Sequence, residues 1–174
     1  MALENACGVP PLTRRGRDCH NPEMSDEIRP IVPQDVSVLA RIFKECFAAP
    51  PWNEAWSDET AIRRLSQFMG TKTCRGMVAF EAERAIGFVL GQIEGWVDGN
   101  LFLVQDMCVV PDRQRTGLGG RLLEWLLRDI ELRDRVTGTY LLTDAGSAAE
   151  AFYLEQGFQR SGRKVVLSTG RRDS

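Results

Sequence analysis

Three glycines stand within four residues of this sequence, among side chains that donate hydrogen bonds. Residues 114–120 are Gln-Arg-Thr-Gly-Leu-Gly-Gly, and Arg121 follows them. Because glycine has no β-carbon, a ligand can approach the backbone closely at such a turn. If the turn also opens a helix, the first amides of that helix lack intrahelical partners and carry partial positive charge. The combination predicts a site for phosphate or pyrophosphate; the alternative is a tight turn whose glycines only allow close packing.

Two common nucleotide-binding fingerprints fit this turn poorly. A P-loop requires Lys and then Ser or Thr after its last glycine, whereas Arg121 and Leu122 follow Gly120. The dinucleotide fingerprint requires Gly or Ala three residues after its second glycine, and that position, counted from Gly119, is Leu122. A nucleotide-binding regulatory domain therefore stays a weak alternative.

A strand and a helix must position the turn. Residues 101–110 are too apolar for a half-exposed strand and predict a central one. After the turn, apolar residues recur every four positions and charged residues take the opposite face, which predicts an amphipathic helix. The apolar positions are Leu118, Leu122, Leu126 and Ile130, with Leu123 and Leu127 beside them, and the charged ones are Arg121, Glu124, Arg128 and Glu131.

The other segments complete an α/β pattern. A short strand is predicted over residues 28–32, then helices over 33–48 and from an N-cap at Ser57 through Met69. Strands at 77–82 and 85–96 form an antiparallel meander with the central strand, and 139–143 should run parallel to it. A helix at 148–156 and a hairpin of 158–160 with 164–168 end the pattern. The predicted fold class is α/β, with a mixed, mostly antiparallel central sheet flanked by about four helices.

Length and composition indicate one ordinary domain. The chain has 174 residues and a formal charge of −2, without the basic excess that nucleic acid or an anionic membrane would attract. No apolar run approaches the roughly 20 residues of a membrane span. Five cysteines without regular spacing argue against a disulfide framework, so a cytoplasmic location is predicted. Residues 1–25 are predicted to be a disordered tail without a metal site, 26–168 the domain, and 169–174 a second tail.

Two motifs resemble those of one family. Residues 114–120 are similar to the Gln/Arg-x-x-Gly-x-Gly/Ala turn of the GNAT superfamily of N-acetyltransferases, and residues 109–112 are typical of the approach to it. About 30 residues later, the pattern Ala149-x-x-Phe152-Tyr153-x-x-x-Gly157-Phe158 is similar to the family's last helix and its Gly-Phe turn. Two motifs in the expected order are more specific than either alone, and the resemblance covers roughly residues 26–168.

The resemblance implies acetyl-coenzyme A (acetyl-CoA) as the acyl donor. In the family, the pantetheine arm pairs with the strand before the turn and the amides of the turn bind the pyrophosphate. The cofactor-binding residues implied here are Met107, Cys108, Val109, Gln114, Arg115, Thr116, Gly117, Leu118, Gly119 and Gly120. An amide near Val109 is the expected oxyanion donor. Where the family often has Asn, this chain has Gly146, and the adjacent Ser147 is expected to bond the cofactor instead.

Two residues are catalytic candidates. Tyr153 matches the family's tyrosine, and the resemblance implies that its phenol protonates the departing thiolate; the alternative is a core tyrosine with its hydroxyl at the surface. Asp106 is the candidate general base, because burying a charged side chain inside an apolar strand costs free energy and often marks a functional site. Alternatively, Asp106 lies at a bulge and bonds to backbone or to a nearby Arg. Glu94 and Asp144 are further candidates for the base.

A proline-rich loop is the predicted acceptor site. The expected substrate-binding residues are Trp52, Glu54 and Trp56; the alternative is that both indoles only pack into the hydrophobic core. The resemblance implies an acetyl-CoA-dependent N-acetyltransferase in which a primary amine attacks directly in a ternary complex. That amine belongs to a small molecule, aminoglycoside or polyamine-like, or to a protein. The competing hypothesis is a non-catalytic acyl-CoA-binding regulatory protein. Dimers are common in the family, and the sequence leaves a homodimer open.

Overall fold

The computed structural model describes residues 26–50, 52–167 and 169, so the predicted disordered tail at 1–25 lies outside the described residues. The described chain divides into two compact units between Leu142 and Thr143. The first unit contains five strands and three α-helices, and the second contains one helix. None of the helices in the described part of the chain combines the length and the apolar character that crossing a bilayer requires.

The elements are named here in chain order. The strands are β1 (Glu27–Pro30), β2 (Cys74–Glu81), β3 (Arg84–Trp96), β4 (Gly99–Val109) and β5 (Val136–Leu141). The helices are α1 (Val36–Ala48), α2 (Asp58–Met69), α3 (Leu118–Asp134) and α4 (Ala148–Glu155). Short 3-10 turns lie at Pro33–Asp35 and Pro111–Arg113.

The five strands form one sheet in the order in which they occur along the chain. Neighbours from β1 to β4 are antiparallel, and β5 is parallel to β4 because α3 connects them as a crossover. The predicted α/β fold class, with its mixed and mostly antiparallel sheet and about four helices, is confirmed.

Helix α3 buries the apolar face that its sequence predicts. Leu118, Leu122, Leu126 and Ile130 are at most 1% exposed. Burying one such side chain contributes roughly 1.5–3 kcal/mol. Contact with the sheet is close, since a β-carbon on Gly87 of β3 would lie 3.1 Å from Leu122 Cδ1. Packing of this face therefore fixes the helix, and with it the glycine turn, on the sheet.

Helices α1 and α2 contribute to the rest of the core. Leu39 and Phe43 of α1 and Leu65 of α2 are at most 1% exposed. Ser57 caps α2 as predicted, because its Oγ accepts a hydrogen bond of 3.1 Å from Thr60 N. The cap satisfies one of the amides that a helix start leaves without an intrahelical partner.

Strand β4 contains a one-residue bulge at Gln105. Leu90 of β3 pairs with Asp106, whereas the next residue, Gly91, pairs with Val104. Gln105 therefore has no residue opposite it on β3, which is the definition of a bulge.

The bulge changes which face of the sheet the β4 side chains occupy. Asp106 bonds Arg64 of α2, so it lies on the α2 face. Phe102 lies on the opposite face, the one that α3 covers. A β-carbon on Gly91 would be 2.6 Å from the Phe102 ring. Gly91 is four residues from Gly87 and therefore shares its face, and a β-carbon on Gly87 would contact Leu122 of α3. In a regular strand, residues four apart would share a face.

The predicted C-terminal hairpin is wrong for the described residues. No strand occurs between Phe158 and Leu167, and Ser168 lies outside the described residues. Val165, Val166 and Leu167 are at least 70% exposed. Their side chains favour extended backbone, but a strand also needs a hydrogen-bonded neighbour, and none of the described residues is paired with this segment. Strand boundaries also differ, since β5 begins at Val136 rather than three residues later.

Candidate functional site

The glycine turn ends in the N-cap of α3. Gly117 is that cap, with φ 83° and ψ −3° in the left-handed region. A β-carbon there would meet no atom within 4 Å, so glycine is favoured by the dihedral angle rather than by lack of space. The bond from Arg121 N to Gly117 O, 3.1 Å long, opens the helical ladder. The amides of Leu118, Gly119 and Gly120 precede it and have no intrahelical acceptor.

Side chains of the turn hold it against β4. Gln114 Nε2 donates to Val109 O at 3.0 Å, and Thr116 Oγ1 donates to Arg113 O at 2.7 Å. Arg115 also has a positive φ, of 60°. Two of the predicted cofactor residues, Gln114 and Thr116, thus have a structural role in ordering the turn.

Strand β4 extends beyond the last residue that pairs with its parallel neighbour, β5. Pairing between β4 and β5 ends at Val104 and Leu141, while β4 continues to Val109. The predicted cofactor-binding backbone, Met107–Val109, lies in this continuation. The last paired residue, Val104, directly precedes Gln105, so the bulge lies where pairing between β4 and β5 stops.

The backbone of Val109 points away from β3. Val110 N donates to Ile86 O of β3 at 3.0 Å, and an antiparallel ladder alternates in direction from one residue to the next. Val109 O accepts from Gln114 and also from Cys46 Sγ of α1, at 3.3 Å. The end of β4 therefore lies between α1 and the glycine turn.

The candidate base is almost completely buried. The Asp106 side chain is 3% exposed, and Arg64 Nη2 donates to its Oδ1 at 2.9 Å. Its Oδ2 is buried and has no hydrogen-bond partner among the described residues. Burial raises the pKa of the Asp106 carboxyl, and Arg64 partly opposes that effect. The position beside the bulge and the pairing with an Arg agree with the alternative interpretation of Asp106, and the unpartnered oxygen keeps an acceptor available.

Sequence reasoning did not identify Arg64. Its guanidinium carbon lies 5.7 Å from the ring centre of Phe43, 6.0 Å from Trp56 and 5.5 Å from Phe68. Cation–π contacts of this kind act within about 6 Å. The only sequence signal was a charged residue directly before the buried Leu65, within an amphipathic helix.

The predicted acceptor loop packs along α1. The Trp52 ring lies 5.5 Å from Phe47, and the Trp56 ring lies 5.0 Å from Phe43. Glu54 N donates to Phe47 O at 2.8 Å, and Glu54 Oε2 accepts from Trp56 Nε1 at 2.5 Å. Trp52 is 36% exposed and Trp56 is half-buried, so neither indole is enclosed in the core.

Acidic side chains of the first unit differ in their partners. Asp58 is bonded to Lys44 at 2.5 Å. Glu94 accepts from the Tyr140 hydroxyl at 2.8 Å. Burial, and then Glu94, raise the pKa of Tyr140. Among the predicted residues, neither Glu54 nor Glu94 forms a salt bridge with a cation of the described chain, so both carboxylates can attract an external cation.

The second unit contains two further predicted residues. Ser147 Oγ accepts from Glu150 N at 3.1 Å and caps α4. The Tyr153 ring lies edge-on to Phe152 at 5.1 Å and to Phe158 at 5.6 Å. Capping gives Ser147 a structural role, and its contact with the cofactor stays a prediction. Within the described ranges, no cluster of three or more His, Cys, Asp and Glu side chains could hold a metal ion.

Comparison with known proteins gives one family match. A model of the acetyltransferase (GNAT) domain matches residues 72–160, just over half of the chain. No curated protein matches the sequence significantly.

Several solved structures share the fold. One is a possible acetyltransferase from Clostridium difficile 630, 15% identical, with a TM-score of 0.71 over 86% of this chain and 100% of the other. Another is the aminoglycoside N-acetyltransferase AAC(6')-Iy in complex with CoA, 15% identical, with a TM-score of 0.67 over 91% and 99%. A third is a transcriptional regulator from Bacillus halodurans C-125, 16% identical, with a TM-score of 0.67 over 83% and 100%. At these identities the likeness concerns the fold alone.

Proposed function

This chain belongs to the GNAT family of acetyltransferases, and on that premise we propose that it transfers the acetyl group of acetyl-CoA to a primary amine. The acceptor is a small molecule, aminoglycoside or polyamine-like, or an amine of a protein, and it attacks directly in a ternary complex. One observation carries the proposal: the start of α3, with its left-handed glycine, follows the end of β4 that β5 does not pair.

The start of α3 suits the pyrophosphate of acetyl-CoA. The amides of Leu118, Gly119 and Gly120 have no intrahelical acceptor, and the helix dipole places partial positive charge at the same point. Arg115 adds a cation to the turn. The unpaired edge of β4 near Val109 suits the amide-containing pantetheine arm, because extended backbone binds an added strand by main-chain hydrogen bonds. A structural neighbour that binds CoA supports the same donor.

The reaction needs positioning, one proton acceptor and one proton donor. The amine nitrogen forms a bond to the acetyl carbon while the bond from that carbon to sulfur breaks. Asp106 takes the proton that the amine loses, and burial makes its carboxylate a better acceptor by raising its pKa. Tyr153 gives its phenolic proton to the departing thiolate; its place in the matched motif supports that role. An amide near Val109 stabilises the oxyanion.

The acceptor-binding residues are Trp52, Glu54 and Trp56, with Glu94 as a further carboxylate. Indole faces and carboxylates both attract cations, and neither Glu54 nor Glu94 forms a salt bridge with the described residues. A cationic amine is therefore the class of acceptor that these side chains suit.

Calorimetry and a turnover assay test the proposal together. We expect acetyl-CoA to bind with micromolar affinity and one of kanamycin, spermidine and a lysine-containing peptide to be acetylated. Tyr153→Phe should lower kcat about 100-fold or more, the usual range for losing a general acid, while the Kd for acetyl-CoA is unchanged. Tyr140→Phe is the matched control, because it removes a hydroxyl that bonds Glu94 and should change only the KM for the amine.

Other outcomes would point elsewhere. Absence of acetyl-CoA binding would refute the proposal, and displacement by ATP or NAD would favour a nucleotide-binding regulatory domain. Binding without turnover of any amine, unaffected by Tyr153→Phe, would favour a non-catalytic acyl-CoA-binding regulatory protein. The neighbour described as a transcriptional regulator has a related fold, which makes that outcome worth testing.

A further inference from the structure

We infer that Arg64 is a positioning residue for the proposed transfer, holding Asp106 in its ionised form and connecting it to the acceptor loop through Trp56. The inference rests on the proposed function, because it assigns Asp106 the part of the base. It concerns a residue of α2 that neither the family motifs nor the predicted site includes.

The ion pair leaves one carboxylate oxygen for another partner. Arg64 uses Nη2 to bond Asp106 Oδ1, at 2.9 Å, and its Nε is buried without a hydrogen-bond partner among the described residues. A side-by-side arrangement would have engaged both carboxylate oxygens, as Arg29 does with Asp35. Because Arg64 binds one oxygen only, the lone pairs of the buried Asp106 Oδ2 can accept the proton of the amine through a bridging water.

Arg64 is also held by aromatic rings from three segments. Phe43 belongs to α1, Phe68 to α2 and Trp56 to the acceptor loop, and all three ring centres lie within 6.0 Å of the guanidinium carbon. Trp56 is packed edge-on against Phe43 and donates its indole hydrogen to Glu54. The same guanidinium therefore supports the ring of a predicted acceptor-binding residue and the carboxylate of the predicted base.

The surroundings of Asp106 supply no second cation within the described chain. Leu90 faces it from β3, and the nearby titratable groups are the thiols of Cys108 on β4 and Cys46 on α1. Burial raises the pKa of the Cys108 thiol well above its usual range, so that group stays neutral. Arg64 is the charge that opposes the burial of Asp106, and its removal should leave a carboxyl that holds its proton to higher pH.

Titration of the Asp106 carboxyl by carbon-detected NMR tests the inference without an acceptor. Arg64→Met should move the midpoint to higher pH by about one unit, the low end for an opposite charge in direct contact. Arg64→Lys keeps a cation on a flexible stem at the same position and should restore most of the shift. Arg63→Met is the matched control, because Arg63 is an exposed neighbour on the same helix. A cooperative denaturant unfolding transition shows that each variant is folded. An Asp106 midpoint that is the same in Arg64→Met and the parent would overturn the inference.

The pH profile of turnover separates positioning from general stability. With whichever of kanamycin, spermidine or the lysine peptide the parent acetylates, Arg64→Met should shift the acid limb of kcat/KM to higher pH, in step with the NMR midpoint. Arg64→Lys should keep the acid limb and raise the KM for the amine, since the planar contact with Trp56 is lost. A uniform loss of activity at every pH would refute the role. If the parent acetylates nothing, the proposed function fails, and the NMR titration still decides what Arg64 does to Asp106.

Discussion

The left-handed conformation of Gly117 leads to a prediction whose magnitude follows from the structure. Gly117→Ala adds a β-carbon that would meet no atom within 4 Å, so the substitution introduces no steric clash. Its φ of 83° is unfavourable for any residue with a β-carbon, by about 1–2 kcal/mol. The folded protein can bear this strain or relax the turn. Relaxation moves the amides at the start of α3, and binding of acetyl-CoA must then return them to their original positions at a cost in binding free energy.

The two responses appear in different measurements. If the strain is kept, the free energy of unfolding falls by about 1–2 kcal/mol, which lowers Tm by about 2–8 °C. If the turn relaxes, stability is kept and the Kd for acetyl-CoA rises about 5–30-fold, because the loss of about 1–2 kcal/mol then falls on binding instead. The losses of unfolding and binding free energy, from denaturant titration and calorimetry, should therefore sum to about 1–2 kcal/mol.

Two variants serve as controls for this prediction. Gly95→Ala also adds a β-carbon that meets nothing within 4 Å, but Gly95 lies in β3 without a positive φ, so neither quantity should fall. Gly117→Asn should recover most of the loss, since Asn tolerates the left-handed region. A Gly117→Ala protein with unchanged stability and unchanged affinity would refute the reasoning.

Three further predictions concern stability and can be checked by denaturant unfolding. Leu126→Ala empties a fully buried site on α3 and should cost about 2–5 kcal/mol, whereas a cost below 1 kcal/mol would contradict the packing of that face. Gly91→Ala should cost about 3 kcal/mol or more, because the new β-carbon would lie 2.1 Å from the Leu103 carbonyl oxygen; a stable variant would disprove the close approach. Asp35→Asn should cost about 1–3 kcal/mol at pH 7, because the carboxylate accepts three hydrogen bonds. Bonding to Arg29 lowers the pKa of Asp35, so this contribution is present above the unfolded pKa and is lost as pH falls through the folded one; a constant difference down to pH 2 would rule that out.

Local patterns predicted the frame of the site. The four-residue recurrence from Leu118 to Ile130 marks the buried face of α3, and Ser57 caps α2 as a residue of its type should. Both signals depend on neighbours within about one helical turn, which sequence alone contains. The parallel direction of β5 followed from a helical crossover, which leaves little choice of topology.

Features that depend on distant parts of the chain were not predictable in the same way. The contact of Arg64 with Asp106 joins residues 42 positions apart, and neither residue type indicates its partner. The sequence offered, as one explanation of Asp106, a place at a bulge with a bond to backbone or to a nearby Arg; the structure has the bulge beside Asp106 and the bond to Arg64. The error at residues 164–168 has the opposite cause, since Val165 and Val166 have strand propensity but no described neighbour to pair with.

The bulge at Gln105 separates the part of β4 that pairs with β5 from the part that does not. Deleting Gln105 would join Val104 to Asp106, and these residues already pair with the adjacent Gly91 and Leu90 of β3. The antiparallel ladder, and the face that each side chain occupies, would survive the loss. The extra residue directly follows the last residue of β4 that pairs with β5, so its deletion should allow the pairing to extend toward Val109. We therefore expect a protein that lacks Gln105 to fold and to bind acetyl-CoA more weakly, because longer pairing with β5 would cover the edge of β4 that is proposed to bind the pantetheine arm.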